Sequence, residues 1–255
     1  MKIFPEERQN MIAGYVNENG KATIHELSRQ FEISIPTVRR DLAELEQKGF
    51  LHRSHGGAVA RDRVLEEISF EKRMKRNYSE KVRIARAASA FIKEGDVVIL
   101  DTGTTNFCIA QQLKEKKNIT VITNSFKTAM ELASNRSIKH VLLGGHLNPE
   151  TFAVSGSVTV EGLKRYNADV AFIGVTGIHH EKGLTDIYED ESPVKRAFIE
   201  ISKKKIVVAS RSKFGMVSFS ATAKLSEVDM VIGSAEVDLE TRKVFEDTGP
   251  EYLYV

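Results

Sequence analysis

The spacing of apolar residues changes near Tyr78, from the three-and-four rhythm of short helices to compact apolar runs separated by helical stretches. Before that point, Met11, Ile12, Tyr15 and Val16 follow Pro5 at i, i+1, i+4 and i+5 and predict a first helix. Thr23 with Glu26 three residues on is a capping box, so a second helix starts at about Ile24. Its stripe is Ile24, Leu27 and Phe31, with His25, Arg29 and Gln30 toward solvent. Glu32-Ile33 makes a turn, and Ser34 caps a third helix that accepts Pro36 in its first turn, where a missing N–H costs nothing. That helix runs to about Gln47 and stops at Gly49.

At about 100° per residue, Val38, Leu42 and Leu45 share one face of the third helix, and Arg40 points away from them. Pro36 and Thr37 lie on the outer face and Arg39 on its flank. A helix that hides those three apolar residues presents its N-terminal outer face as a recognition helix does to base edges. Arginine suits that task because its planar fork bonds guanine or phosphate bidentately. The plainer alternative is a surface pair between Arg40 and Glu44 one turn on. Phe50-Leu51-His52-Arg53 reads as a strand, Gly56-Gly57 as a turn and Ala58-Val59-Ala60 as a second strand. Such a hairpin is a wing, with Arg53 and His55 as phosphate contacts and Phe50 and Leu51 as its anchor. Without its neighbours the glycine pair is equally a surface loop.

From Tyr78 onward Ile84, Ala85, Ala88 and Phe91 form a helical stripe, and Val97 to Leu100 is a continuous apolar run. Similar runs recur at Thr120 to Thr123, His140 to Leu143, Val170 to Val175, Lys205 to Ala209 and Val228 to Ile232. Strands apolar on both faces and separated by helices imply a mainly parallel, doubly covered sheet. Ligands in such sheets sit at the carboxyl ends of the strands. There the sequence places Asp101-Thr102-Gly103-Thr104-Thr105, Asn124-Ser125, Gly144-Gly145 and Thr176-Gly177. Gly103 permits a sharp turn, and the N–H groups and hydroxyls of Thr104 and Thr105 can hold an anion at a helix start. Small and hydroxylated strand ends together describe a polyol or phosphate pocket, although D-x-G-T-T alone is equally a cap and a turn.

Composition narrows the classes. A chain of 255 residues with 41% hydrophobic content holds a small and a medium domain. We expect a unit over 1–60, a polar linker over 61–75 and a larger unit over 76–255. A net charge of only +2 leaves any attraction to nucleic acid to local placement. The basic run Lys72 to Arg76 is diluted by Glu66, Glu67, Glu71 and Glu80 and reads as a solvated linker and helix start. The single cysteine, Cys108, makes neither a disulfide nor a Cys-rich zinc site. No apolar run nears the roughly 20 residues needed to span a bilayer, and no signal-peptide core follows Met1-Lys2, so a soluble cytoplasmic protein without membrane partners is expected. His179-His180 reads as a loop rather than a metal site, and no phosphate-loop motif for nucleotide hydrolysis occurs. Neither metal nor cofactor is expected.

Ser34-Ile-Pro-Thr-Val-Arg-Arg-Asp-Leu42 and Arg53-Ser-His-Gly-Gly-Ala58 resemble the signature of the DeoR family of bacterial sugar-responsive transcription regulators. The resemblance covers almost the whole chain. It implies an α/β protein: a small winged helix-turn-helix domain followed by a doubly wound, mainly parallel, Rossmann-like sensor related to sugar-phosphate isomerases. It also implies that Gly103, Thr104 and Thr105 face phosphate and Asp101 faces hydroxyls. Glu191-Ser-Pro-Val-Lys195 is similar to the family's E-x-x-x-K step and Ser212-Lys-Phe214 to its S-K-F step, which makes Glu191, Lys195 and Lys213 pocket residues by resemblance. Glu191 and Lys195 at i, i+4 could also be a helix-surface ion pair. Where the family reads D-x-S-K-F this chain has Ser210-Arg211, which would make that edge of the pocket more positive.

The expected function is therefore a repressor of a carbohydrate operon. Its partners would be a double-stranded DNA operator and a phosphorylated sugar or related effector, and it would act as a homodimer or homotetramer on paired half-sites. The rival is an isomerase with Glu191 as general base and Lys195 or Lys213 steadying an enediolate. An isomerase has no use for the N-terminal module, so no enzyme is expected.

Overall fold

The computed structural model describes residues 5–19, 21–48, 50–54, 56–60 and 70–255. The chain divides into two compact units, Met1–Arg73 and Met74–Val255.

In the first unit α1 (Pro5–Asn19), α2 (Ile24–Gln30) and α3 (Ile35–Gln47) enclose a core of Ile12, Val16, Leu27, Val38, Leu42, Leu45 and Leu51. The second helix starts where expected because the Thr23 N–H donates to Glu26 Oε2 (2.7 Å) while the Glu26 N–H donates to Thr23 Oγ1 (3.1 Å). Ser34 caps α3 by accepting from the Thr37 N–H at 3.3 Å. The turn between them places Glu32 at φ 51°, and Gly49 lies outside the described residues. Strands β2 (Leu51–Ser54) and β3 (Gly57–Ala60) form the hairpin, joined by an unforeseen third strand, β1 (Lys21–Thr23), paired antiparallel with β3. At Gly57 a Cβ would stand 2.0 Å from the Ala22 carbonyl oxygen, so only glycine lets β1 close on the hairpin.

Two apolar assignments fail. Met11, adjacent to Ile12, falls about 100° off the stripe and is 44% exposed. Phe50 uses its backbone to close α3, donating to the Leu45 carbonyl at 2.9 Å, and its ring is 49% exposed. Leu51, with Ala58 on the facing strand, anchors the hairpin in the core. Of the expected linker, 61–69 lie outside the described residues, while Phe70–Lys75 is helical (α4) with Phe70 buried.

In the second unit the main sheet contains β4 (Val97–Leu100), β5 (Ile119–Thr123), β6 (Ile138–Leu142), β9 (Ala168–Gly174), β12 (Ser202–Ala209), β14 (Met230–Gly233) and β15 (Glu251–Tyr254). All its pairings are parallel, in the order β15-β14-β12-β9-β4-β5-β6. Alternation divides each apolar run between two cores: Ile99, Ala171, Ile173 and Val207 face one side, Val98, Leu100, Phe172 and Val208 the other. Helices α5 (Tyr78–Ser89), α6 (Thr104–Gln112), α7 (Phe126–Leu132), α8 (Ser157–Leu163), α9 (Ser192–Ile201) and α10 (Leu239–Phe245) connect the strands. A short hairpin, β7 (His146–Leu147) with β8 (Val154–Ser155), and an antiparallel sheet of β10 (Gly177–His179), β11 (Gly183–Asp186) and β13 (Ser220–Ala223) complete it. Helix α5 ends at Ser89, so Phe91 lies past it, half-buried, with Lys204 Nζ 4.6 Å from its ring centre. Strand order reverses between β4 and β9, which makes the carboxyl ends of those two strands the topological switch point of the sheet.

Candidate functional site

On the outer face of α3, Ser34, Pro36, Arg39 and Arg40 are exposed and Thr37 is half-buried. The hydroxyls of Ser34 and Thr37 are 2.8 Å apart. Among the described residues neither arginine has an ion-pair partner, and Glu44 instead accepts from Gln9 Nε2 at 2.6 Å. Beneath this face Asp41, 1% exposed, receives a fork from Arg8, with Nε to Oδ2 at 2.7 Å and NH2 to Oδ1 at 3.0 Å. This bidentate bond fixes α3 against α1 and holds the Arg8 guanidinium even more firmly charged than usual. Sequence reasoning missed it, although Asp41 sits at i+3 from Val38 on the apolar stripe, where a lone carboxylate demands a partner. Arg53 lies in β2 with its backbone opposite Ala58, and His55 lies outside the described residues.

At the switch point, Asp101 follows β4 directly and is fully buried. Its Oδ1 accepts from the Thr102 N–H (2.7 Å) and its Oδ2 from the Gly174 N–H at the end of β9 (3.0 Å). Lys195, on α9, donates to Asp101 Oδ2 at 2.6 Å and to the Gly174 carbonyl at 3.1 Å. Asp186 Oδ2 lies 3.4 Å and Glu191 Oε2 3.9 Å from the same ammonium. Glu191 also accepts from Thr151 Oγ1 (3.1 Å), and Asp186 from Thr176 Oγ1 (2.7 Å). Glu191 and Lys195 are therefore a buried pair rather than a surface one. Burial works against charge on Lys195, but Asp101, Asp186 and Glu191 outweigh it and keep the ammonium protonated. Burial also lifts the Asp101 carboxyl above its ordinary range, with Lys195 opposing. Thr176 was expected as a hydroxylated strand end; Asp186 and Thr151 were not foreseen, because only tertiary folding brings β11 and the 151–155 segment to α9.

The loop after Asp101 starts α6. Gly103 has φ 118°, a conformation that favours glycine, and a Cβ there would meet open space. The first bond into the helix is Phe107 N–H to the Gly103 carbonyl, which leaves the N–H groups of Thr104, Thr105 and Asn106 unused by the helix. Asn124 and Ser125 follow β5, both buried; Asn124 Nδ2 donates to the Val154 carbonyl (3.3 Å), and Ser125 caps α7. Gly145 and Gly177 hold close approaches: a Cβ would lie 2.1 Å from Thr159 Oγ1 and 2.5 Å from the Met216 carbonyl oxygen, respectively. Lys213 ends a single 3-10 turn after β12 and is half-buried. Lys81, also unforeseen, is buried on α5 and donates to the Arg76 carbonyl.

Arg211 does not make its edge more positive. Glu80, 2% exposed, accepts from the Arg211 N–H at 3.0 Å and stands 3.4 Å from Arg211 Nε, with Glu236 3.9 Å from the same nitrogen. Arg83 also donates to Glu236, at 2.8 Å, so two carboxylates balance two guanidinium groups here. His179 ends strand β10 rather than lying in a loop, and its Nδ1 accepts from the N–H groups of Glu181 (3.2 Å) and Lys182 (3.3 Å). One ligand atom each from His179, His180 and Glu181 lies within 4.8 Å of the others, a consequence of the tight turn that stacks the two rings at 4.3 Å.

Residues 8–64 match the DeoR-like helix-turn-helix domain, and residues 76–235 match the DeoR C-terminal sensor domain. The chain belongs to the DeoR family. It is 33% identical over 247 residues to the HTH-type transcriptional regulator GolR of Listeria innocua, covering 97% of each protein. It is 36% identical to the HTH-type transcriptional repressor GlcR of Bacillus subtilis, covering 90% of this chain and 88% of that one. Ribose 5-phosphate isomerase A of Methanocaldococcus jannaschii is similar over 54% of each chain, with 20% identity and a TM-score of 0.41. These family members are transcription regulators, and among the described residues of this one no helix is long and apolar enough to cross a membrane.

Proposed function

We propose that this DeoR-family regulator represses a carbohydrate-metabolism operon, binding operator DNA through α3 and the wing and releasing it when a phosphorylated sugar occupies the switch point. On the DNA side, Thr37, Arg39 and Arg40 contact bases and adjacent phosphates, supported by Ser34 and Pro36, while Arg53 and His55 track the backbone. On the effector side, the Gly103-Thr104-Thr105 turn holds the phosphate at the start of α6, aided by Lys213, where free N–H groups and the helix dipole favour an anion. Asp101, Glu191 and Lys195 meet the sugar hydroxyls, and Asn124, Ser125, Gly145 and Gly177 shape the surrounding walls.

The observation that carries this reading is the exposed Arg39-Arg40 pair on a helix whose opposite face is clamped by Asp41 and Arg8. Two guanidinium groups exposed beside a helix start, without an ion-pair partner among the described residues, are suited to a polyanion. The effector must favour one of the DNA-competent and DNA-incompetent states, since equal affinity for both shifts nothing. Selection of genomic fragments by the purified protein, with and without a panel of pentose and hexose phosphates, tests the proposal. Enrichment of discrete sites that disappear with one sugar phosphate is the expected result; uniform recovery of fragments would end it.

A further inference from the structure

Among the described residues, Asp101 and Asp186 share one ammonium, that of Lys195, and Glu191 lies at the edge of the same group. The Lys195 hydrogen bonds go to Asp101 and the Gly174 carbonyl, so Asp186 Oδ2, at 3.4 Å, is a fully buried acceptor with no hydrogen bond. Such an oxygen is costly to bury unless something donates to it. Nearby, Asn106 lies against Gly174, and its Oδ1 is likewise buried without a partner, as is Oγ1 of Thr102. The unmet need of this cluster is for hydrogen-bond donors, and at Asp186 the acceptor waiting for one is a carboxylate oxygen.

Resting on the sugar-phosphate reading above, we infer that the effector is an amino sugar phosphate whose ammonium group docks on Asp186. The two ends of the site are suitably spaced. Gly103 lies two residues beyond Asp101, at most about 7 Å of chain, so a single hexose phosphate can place its phosphate at the start of α6 and its amine in the acidic cluster. A primary ammonium brings three N–H donors and one positive charge. A hydroxyl brings one donor and no charge, leaving two carboxylates to share Lys195. Thr176 Oγ1 holds the other oxygen of Asp186 and so aims Oδ2.

Matched pairs test the inference: glucosamine, galactosamine and mannosamine 6-phosphates against the parent hexose 6-phosphates and the N-acetylated forms, by calorimetric titration of the full chain. One amino form should bind at least tenfold tighter than both its parent and its N-acetyl derivative. Asp186→Asn should erase that advantage, bringing the amino form to within about threefold of its parent sugar phosphate measured on the same variant, and Thr176→Val should reduce the advantage in part. Equal or weaker binding of every amino form overturns the inference and leaves the sugar-phosphate reading standing. Binding of no sugar phosphate overturns both. Since the wild-type comparison is decisive alone, a variant that fails to fold does not rescue the idea.

Discussion

Arg40 and Lys195 are both cations, and burial separates their roles. Arg40 is exposed and unpaired among the described residues, so Arg40→Ala should leave folding intact and cost about 1–3 kcal/mol in operator binding, read by fluorescence anisotropy. Lys195 is buried among carboxylates, and Lys195→Met should cost about 3–5 kcal/mol of stability by leaving Asp101 and Asp186 without a counter-ion. Asp101→Asn with Lys195→Met should cost less than the two single changes added, because each removes what makes the other harmful; chemical denaturation of the four proteins measures this. Cys108 supplies a pH test, since burial pushes its thiol up to about 11. A raised folded pKa stabilises below the ordinary thiol pKa of about 8.5 and is lost as pH climbs toward 11. The stability difference between wild type and Cys108→Ala should therefore shrink over that interval, and the thiol should resist alkylation at neutral pH until the protein unfolds.

Among the elements, those whose signal is local were legible in the sequence. The α2 start follows from Thr23 and Glu26, and the α3 start from Ser34, because each cap is settled within three residues. The parallel strands β4, β5, β9 and β12 were legible because both faces are buried, which makes their apolar runs continuous. Strand β15 was not, because Glu251-Tyr252-Leu253-Tyr254 is an edge strand of mixed polarity, and only its pairing with β14 makes it a strand. Strand β1 was hidden because its three residues pair only across a distant hairpin. At the site, Asp101, Glu191 and Lys195 were identified through the family resemblance and do come together. Thr176 was legible as a hydroxylated strand end, but Asp186 was not, since nothing near it in the sequence refers to α9. The β1–β3 pairing yields its own test: Gly57→Ala should drive a methyl into the Ala22 carbonyl, lower the melting temperature of the N-terminal unit by several degrees and weaken operator binding with it.

For the whole molecule the claim is coupling: what happens in the sensor must change what the helix-turn-helix binds. With a formal charge of only +2 the chain has little general attraction for DNA, so affinity should fall steeply with salt through a few localised contacts and depend on paired half-sites. A two-fold assembly is the natural way to supply that pair, and equilibrium sedimentation should find a dimer or tetramer. The most direct measurement is an anisotropy titration of one genomically selected operator fragment at fixed moderate salt, with wild type and Arg40→Ala, each with and without the sugar phosphates that bind the sensor. The account predicts tight wild-type binding, a loss of about 1–3 kcal/mol on Arg40→Ala, and release of wild type by at least one sugar phosphate. Operator affinity indifferent to Arg40 and to every sugar phosphate would contradict it.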